Sequence, residues 1–272
     1  RKNTCLVCGY GTQNTRGFYD MYSPDDRKEK KSELIVTLPR AKSLFMSPVV
    51  AFLYERGWRQ QFADAGFPGD EKEFEMIKEF VFGISQAKKS RNQAADAKTV
   101  RPAKLGVDLS CGSGFMARRM ANSGLFEHVI GIDSSKEMLA ESSRRCETRS
   151  ERDKITWVLA DAQRLPLEAC SVDLVQAGAA IHCWTQIPDV LNQINLVLKP
   201  DGYFFGTTFA EPNVPGMQFM KSLGQLGWSS TFRAFSEKEL EYLLRAAGFD
   251  RIKVQRIRNC LIMFARKKAG SE

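Results

Sequence analysis

The stretch from residue 104 to 120, KLGVDLSCGSGFMARRM, constrains the fold of this chain more than any other. A short apolar run leads into Asp108, small residues continue to Gly114, and a helical pattern begins at Phe115. Glycine suits such a turn because it adopts positive φ angles and lets a ligand approach the backbone. The N–H groups at the start of the following helix favour an electronegative group. The stretch predicts a strand, a tight turn and a helix beside a ligand, although similar turns also occur without one.

Two further apolar runs end at acidic residues. Residues 129–132 lead into Asp133, about 20 residues after the glycines, where a nucleotide-binding unit places the carboxylate that binds ribose hydroxyls. Asp133 could instead cap the helix that opens at Ser134 or Ser135, and the two roles are compatible. Another apolar strand pattern ends just before Asp161. The carboxylates are therefore expected at the ends of neighbouring strands.

The glycine turn differs from that of nicotinamide enzymes, because its form is D-x-x-C-G-S-G and Ala117 stands where a third glycine would be expected. In order along residues 104–208, the motifs VDLSCGSG, GIDSS, LADAQRLPL and SVDLVQAGAAIHCW, followed by LVLKPDGYF, resemble those of class I S-adenosylmethionine-dependent methyltransferases. FLYERGWRQ upstream and GAAIHCW make the chain most similar to plant and algal plastid methyltransferases related to the quinone-biosynthesis group.

Strand and helix patterns alternate through the second half of the chain, which predicts an α/β fold with a doubly wound sheet. The resemblance implies a seven-stranded Rossmann-like methyltransferase sheet whose last strand is antiparallel. We expect this domain to cover residues 104–268, with an insertion at 211–230 above the carboxyl ends of the strands.

The N-terminal part is expected to form two smaller units, a zinc-ribbon-like remnant with a linker at 1–40 and a helical cap with a polar linker at 41–103. Cys5 and Cys8 form one C-x-x-C pair, and tetrahedral zinc needs four ligands. No metal is therefore expected in this chain, and the resemblance implies that Cys5 and Cys8 are the second of two such pairs, with the first upstream of Arg1.

The resemblance also implies which residues bind S-adenosylmethionine. Gly112, Ser113 and Gly114 would lie against its methionine part, and Asp108 near its ammonium group. Asp133 would bind the ribose, and Met138 would pack on the adenine, although a Met at an apolar helix position is by default a core residue. The further members of the predicted cofactor site are Ser110, Cys111, Ser134, Asp161, Ala162, Gln163 and Gly178.

The acceptor side is predicted from aromatic and flexible apolar side chains. A helix at 49–57 and the insertion are expected to roof the site, and such a lining suits an apolar or aromatic acceptor. The predicted acceptor-binding residues are Tyr54, Trp58, Arg59, Trp184, Met217 and Trp228. His182 is the candidate general base, with a structural histidine as the alternative.

The amino-acid composition limits the binding partners that can be expected. The net charge is +8, but basic residues cluster in polar stretches without interleaved aromatic residues, so nucleic-acid binding is not expected. The longest apolar runs fall short of the roughly 18 to 20 residues that span a bilayer, so any membrane contact should be peripheral. The seven cysteines are interpreted as reduced thiols of an intracellular protein, and the resemblance points to the plastid.

The sequence therefore predicts methyl transfer to a small, apolar or aromatic acceptor such as a quinone, a phenol or an isoprenoid-like molecule. An RNA methyltransferase is one alternative, but the fourth motif lacks the Asn/Asp-Pro-Pro-aromatic signature of base-amino methylation. A protein that binds the cofactor without turnover is the other alternative.

Overall fold

The computed structural model describes residues 3–4, 11–15, 17–22, 66–83, 103–211 and 233–269. Within these ranges, ten strands form one sheet in the order β1-β2-β3-β6-β5-β4-β7-β8-β10-β9. The strands are β1 Asn3–Thr4, β2 Gly11–Thr15, β3 Phe18–Asp20, β4 Ala103–Leu109, β5 Phe126–Asp133, β6 Ile155–Leu159, β7 Val172–Ala177, β8 Leu198–Phe209, β9 Phe249–Ile257 and β10 Cys260–Lys267. The α-helices are α1 Asp70–Phe82, α2 Phe115–Asn122, α3 Lys136–Arg144, α4 Arg149–Lys154, α5 Ile187–Val197 and α6 Glu237–Ala246.

The seven strands from β4 to β10 form the predicted methyltransferase sheet. Strands β4 to β8 run parallel, and β10 is antiparallel to both of its neighbours, β8 and β9. The parallel strands are short apolar runs because helices cover both faces of such a sheet. Val107, Val129 and Leu174, for example, are fully buried. The predicted doubly wound fold with an antiparallel last strand is confirmed.

Local capping explains where several helices begin. The Ser135 side chain accepts a hydrogen bond from the Met138 backbone N–H and starts α3, and Ser236 starts α6 in the same way. Thr148 and Glu151 form a complete capping box at α4. Helix α4 was not predicted, because its sequence RSERDK has no apolar periodicity, although the capping box itself was a readable signal.

Helix α1 packs on the sheet and lies within residues 41–103, where the sequence predicts a helical cap with a polar linker. Its Phe74 and Ile77 are buried in a core that also contains Leu174 and Phe205. The helix ends at Gly83, whose φ of 66° is the left-handed conformation common at helix C-termini. An ion pair of 2.8 Å between Asp70 and Arg119 links the start of α1 to α2.

Three N-terminal strands lengthen the sheet beyond the prediction. β3 pairs in parallel with β6, and β2 pairs antiparallel with β3. The backbone N–H of Met21 donates to the carbonyl oxygen of Leu159 at 3.0 Å. The sequence placed a polar linker here, because residues 11–15 are GTQNT and carry no apolar alternation.

Several predicted features lie outside the described residues. They are the C-x-x-C pair Cys5 and Cys8, the helix at 49–57, most of the insertion at 211–230, and the predicted acceptor-binding residues Tyr54, Trp58, Arg59, Met217 and Trp228. Of the helices in the described ranges, none combines the length and apolar character needed to cross a bilayer.

Candidate functional site

A cavity opens at the carboxyl ends of strands β4, β5, β6 and β7. The empty space within it, counted together with its open mouth, is roughly 860 Å³. Its wall consists of Leu109, Ser110, Gly112, Ile132, Asp133, Ser134, Ser135, Met138, Ala160, Asp161, Ala162, Gln163, Gly178, Ala179, Ala180, Cys183, Trp184, Thr185 and Val190. Parallel sheets of this class bind ligands in such a crevice.

The glycine turn forms one side of the cavity. Ser110, Gly112 and Gly114 have φ angles of 58°, 53° and 71°, so the chain makes three left-handed steps between β4 and α2. The backbone N–H of Gly112 donates to Oδ2 of Asp133 at 2.8 Å. This bond ties the turn after β4 to the end of β5.

The indole of Trp157 explains why two nearby positions are occupied by glycine. A β-carbon on Gly114 would lie 2.2 Å from Cη2 of Trp157, and one on Gly131 would lie 2.3 Å from its Cζ3. The sequence analysis attributed the glycines of the turn to positive φ angles and to close approach of a ligand. At Gly114, whose φ is 71°, the structure adds a further cause, which is close approach of a buried side chain.

Asp133 accepts backbone hydrogen bonds from the loops on both sides of the cavity edge, and it does not itself cap α3. Its Oδ1 accepts from the backbone N–H of Ser135 at 2.8 Å, and its Oδ2 accepts from Gly112. The helix cap itself is the hydroxyl of Ser135. Since a carboxylate oxygen can accept two hydrogen bonds, the same group retains capacity for ligand hydroxyls.

Asp108 lies beneath the turn and does not contribute to the cavity wall. Its Oδ2 accepts from the backbone N–H of Ala117 at 2.8 Å, and its Oδ1 accepts from Nε2 of Gln176 at 2.7 Å. Burial raises the pKa of this carboxyl to about 7, although both hydrogen bonds act in the opposite direction. Asp108 thus joins β4, α2 and β7.

Two hydrogen bonds connect the loops around the cavity. Nε1 of Trp184 donates to Oγ of Ser110 at 3.0 Å, and Nε2 of Gln163 donates to Oγ1 of Thr185 at 2.7 Å. The loop after β7 is therefore held to the turn after β4 and to the loop after β6. Met138 lies in the wall between these polar groups and is 2% exposed, so it serves the core and the cavity together.

His182 lies outside the cavity wall. Its Nδ1 is 3.3 Å from Oγ1 of Thr208, and its ring packs on Phe209 with centroids 4.6 Å apart. Burial lowers the pKa of the imidazole to about 3. The ring is therefore neutral at physiological pH and a weak base, a setting that favours the structural alternative.

The cavity brings together ten of the predicted cofactor-site and acceptor-site residues: Ser110, Gly112, Asp133, Ser134, Met138, Asp161, Ala162, Gln163, Gly178 and Trp184. Cys111, Ser113 and Gly114 belong to the turn but, like Asp108, are not part of the wall. Sequence reasoning missed Ser135 and Thr185. Their signal was position alone, since Ser135 follows the end of β5 and Thr185 lies in the connection between β7 and α5.

Comparison with known proteins identifies the domain. The sequence profile of a family described as a methyltransferase domain matches residues 107–206. An uncharacterized chloroplastic methyltransferase of Arabidopsis thaliana is 38% identical over 228 residues, which cover 82% of this chain and 59% of that protein. The 2-phytyl-1,4-naphtoquinone methyltransferase of Trichormus variabilis is 32% identical over 114 residues, 42% of this chain and 50% of that protein. The chain thus spans between about half and three fifths of the length of these relatives.

Solved structures agree on the fold. The crystal structure of the [4+2]-cyclase SpnF superposes with a TM-score of 0.55 at 19% identity, covering 68% of this chain and 79% of the cyclase. At this identity the similarity concerns the fold alone. Strand order, cavity position and the profile match agree, so residues 107–206 belong to a methyltransferase domain that has the fold of the class I S-adenosylmethionine-dependent methyltransferases.

Proposed function

We propose that this protein binds S-adenosylmethionine in the cavity and transfers its methyl group to a small, apolar or aromatic acceptor. The observation that carries the proposal is the convergence of Asp133, Asp161 and the buried Met138 on one cavity beside the glycine turn. Carboxylates at neighbouring strand ends suit ribose hydroxyls and an adenine amino group, and an apolar wall between them suits an aromatic base. The hydrogen-bond acceptors and the apolar wall of the cavity therefore fit the cofactor.

The residues of the chain would hold and orient the reactants and enclose them away from water. Asp133 is fixed by the N–H groups of Gly112 and Ser135, so it is already aligned toward the cavity. When bound, S-adenosylmethionine supplies a methyl group on a sulfonium, which is open to in-line displacement by a nucleophile. Positioning and exclusion of water supply most of what this reaction needs from a protein.

The named relative supports an apolar or aromatic acceptor, whereas an aromatic cluster near the end of β8 is not part of the cavity wall. The rings of Phe67 and Phe209 pack edge to face with centroids 5.0 Å apart, and Phe209 also contacts His182. The relative from Trichormus variabilis is named for a phytylated naphthoquinone, which is an aromatic molecule with an apolar chain. We take a quinol or phenol as the acceptor class, and the plastid as the compartment from the chloroplastic relative.

Cofactor binding is tested by calorimetry with S-adenosylhomocysteine, the product of the reaction. Asp133→Ala should weaken binding by about 1.5 to 3 kcal/mol, the scale of hydrogen bonds to a charged group. Asp153→Ala, which removes an exposed carboxylate from α4, is the matched control. Unchanged affinity in a folded Asp133→Ala variant would rule out the assignment.

The acceptor class is tested with radiolabelled S-adenosylmethionine. The panel contains reduced naphthoquinols and benzoquinols with and without a prenyl chain, and transfer RNA as the nucleic-acid comparison. Methylation of a quinol and not of RNA is expected. Labelled RNA would favour the RNA methyltransferase, and binding of the cofactor without labelling of any extract fraction would favour a non-catalytic protein.

A further inference from the structure

A further carboxylate lies near the cavity and comes from outside the motifs of the sheet. Glu73 belongs to α1 and is buried, with 7% of its surface exposed. A β-carbon added to Gly178 would lie 3.1 Å from Oε2 of Glu73. Gly178 is part of the cavity wall, whereas Glu73 and Gln176 are not, so the carboxylate lies directly behind the wall at the end of β7.

The amide oxygen of Gln176 faces the same point. The β-carbon on Gly178 would lie 3.5 Å from Oε1 of Gln176, whose side chain is 3% exposed. The amide nitrogen of this residue donates to Asp108, which fixes the orientation of the group. Within the described residues, Oε1 accepts no hydrogen bond. A buried acceptor without a donor is costly, so this oxygen suits a ligand that supplies one.

We propose that Glu73 and Gln176 form the binding site for the α-ammonium group of the cofactor, next to Gly178. This inference rests on the proposed function. An ammonium group carries a positive charge and three N–H donors, which matches one carboxylate and one amide oxygen. The sulfonium of the same cofactor has no N–H or O–H to donate.

The proposal transfers a role that the family resemblance gave to Asp108. Both oxygens of Asp108 accept hydrogen bonds from the protein, one from Ala117 and one from Gln176. Asp108 therefore acts as a positioning residue, because it holds the Gln176 amide so that Oε1 is directed away from it. The missing side chain at Gly178 leaves room for the ligand, since a methyl group there would contact the Glu73 carboxylate.

Two probes separate this site from the rest of the cavity. S-adenosylhomocysteine contains the amino-acid part with its ammonium, whereas 5′-methylthioadenosine has the same adenosine and sulfur without it. Glu73→Gln keeps the shape of the side chain and removes its charge. We expect it to lower the affinity for S-adenosylhomocysteine about tenfold or more and to change that for methylthioadenosine by less than about twofold.

The matched control is Glu71→Gln, the same substitution at an exposed position of the same helix, which should change neither affinity. Gly178→Ala is the second test, because it fills the site without removing a charge, and it should cause the same selective loss. If Glu73→Gln fails to fold, Gly178→Ala decides the question alone.

Three outcomes would overturn the inference while leaving the proposed function intact. They are equal losses for both probes, no loss for either probe, and unchanged affinity for S-adenosylhomocysteine combined with a raised Michaelis constant for the acceptor. The last result would place Glu73 on the acceptor. A wild-type protein that binds neither probe would contradict the proposed function itself.

Discussion

Gly114 lies against the indole edge of Trp157, so that a β-carbon on the glycine would come within 2.2 Å of Cη2. The same ring lies beneath Gly131. Trp157 is itself buried in β6, with 4% of its surface exposed. The ring cannot move away without disturbing the core, and the two glycines are the means by which the turn and β5 pass over it.

Gly114→Ala should therefore destabilise the protein by more than its backbone conformation alone accounts for. The comparison is Gly124→Ala, because Gly124 has a φ of 73°, close to the 71° of Gly114, but nothing within 4 Å of its added β-carbon. Urea unfolding should show Gly114→Ala costing roughly 1 to 3 kcal/mol more, the scale of overpacking. Equal costs would mean that Trp157 yields to the methyl group.

Asp108 should make the free energy of unfolding depend on pH. Burial raises its pKa to about 7 in the folded state, from an ordinary value of 3.8, so between these values the folded protein binds the proton more tightly than the unfolded chain. Its contribution to stability therefore falls as the pH rises through this window and is constant above it. In urea unfolding, the difference between wild type and Asp108→Asn should decrease by about 1.4 kcal/mol per pH unit between pH 5 and 7.

Asp173→Asn is the control for this experiment. Asp173 is also in the sheet and accepts from Leu105 and Lys199, but its side chain is 27% exposed. A difference between wild type and Asp108→Asn that stays constant from pH 5 to 8 would contradict the raised pKa of Asp108.

His182 should make the free energy of unfolding depend on pH in the direction opposite to that of Asp108. Burial lowers its pKa to about 3 from 6.5, so the unfolded chain binds the proton more tightly between these values. The stability that the buried neutral ring contributes is present above pH 6.5 and is lost as the pH falls. The advantage of wild type over His182→Gln should shrink between pH 6 and 4. The comparison is His128→Gln, since burial also lowers the pKa of His128 but its side chain is only partly buried.

The same variant addresses the predicted catalytic role of His182. A structural histidine with a pKa near 3 predicts that the dependence of kcat on pH between 6 and 8 is the same in wild type and in folded His182→Gln. If the dependence of kcat on pH shows an ionisation between pH 6 and 8 in wild type that is absent in His182→Gln, His182 would again be interpreted as the general base.

Trp184 and Ser110 should be energetically coupled in cofactor binding. Their hydrogen bond of 3.0 Å connects the loop after β7 to the turn after β4. A double-mutant cycle with Trp184→Phe and Ser110→Gly removes the bond from either side, and glycine tolerates the φ of 58° at position 110. We expect a coupling energy of about 0.5 to 1.5 kcal/mol in the affinity for S-adenosylhomocysteine. Additive effects would show that the bond does not contribute to the site.

The sequence predicted those parts of the site that depend on strand ends. Asp133 and Asp161 could be placed together because parallel strands end at one edge of a sheet, and Gly112 followed from its position after β4. Contacts between distant elements could not be read in this way. The indole beneath Gly114 and the approach of Glu73 to Gly178 depend on packing, and neither leaves a periodic or spacing signal in the chain.

His182 illustrates a different limit. Its position after β7 suggested a role in the reaction, but the short 3₁₀ helix Ile181–Cys183 places neighbouring side chains on different sides. Cys183 and Trp184 line the cavity, whereas His182 packs on Phe209. A tight turn separates side chains that are adjacent in sequence, and only its geometry decides which of them a ligand meets.

The pairing of β3 with β6 has a consequence for the behaviour of the protein in solution. Without β3, strand β6 would present a row of backbone N–H and C=O groups along the border of the sheet, a template on which a strand of another molecule can add. With β1 to β3 in place, the described sheet terminates in a strand of only two residues, Asn3–Thr4. So short a terminus offers little for another chain to extend, and the N-terminal strands thereby protect this border of the sheet against edge-to-edge aggregation.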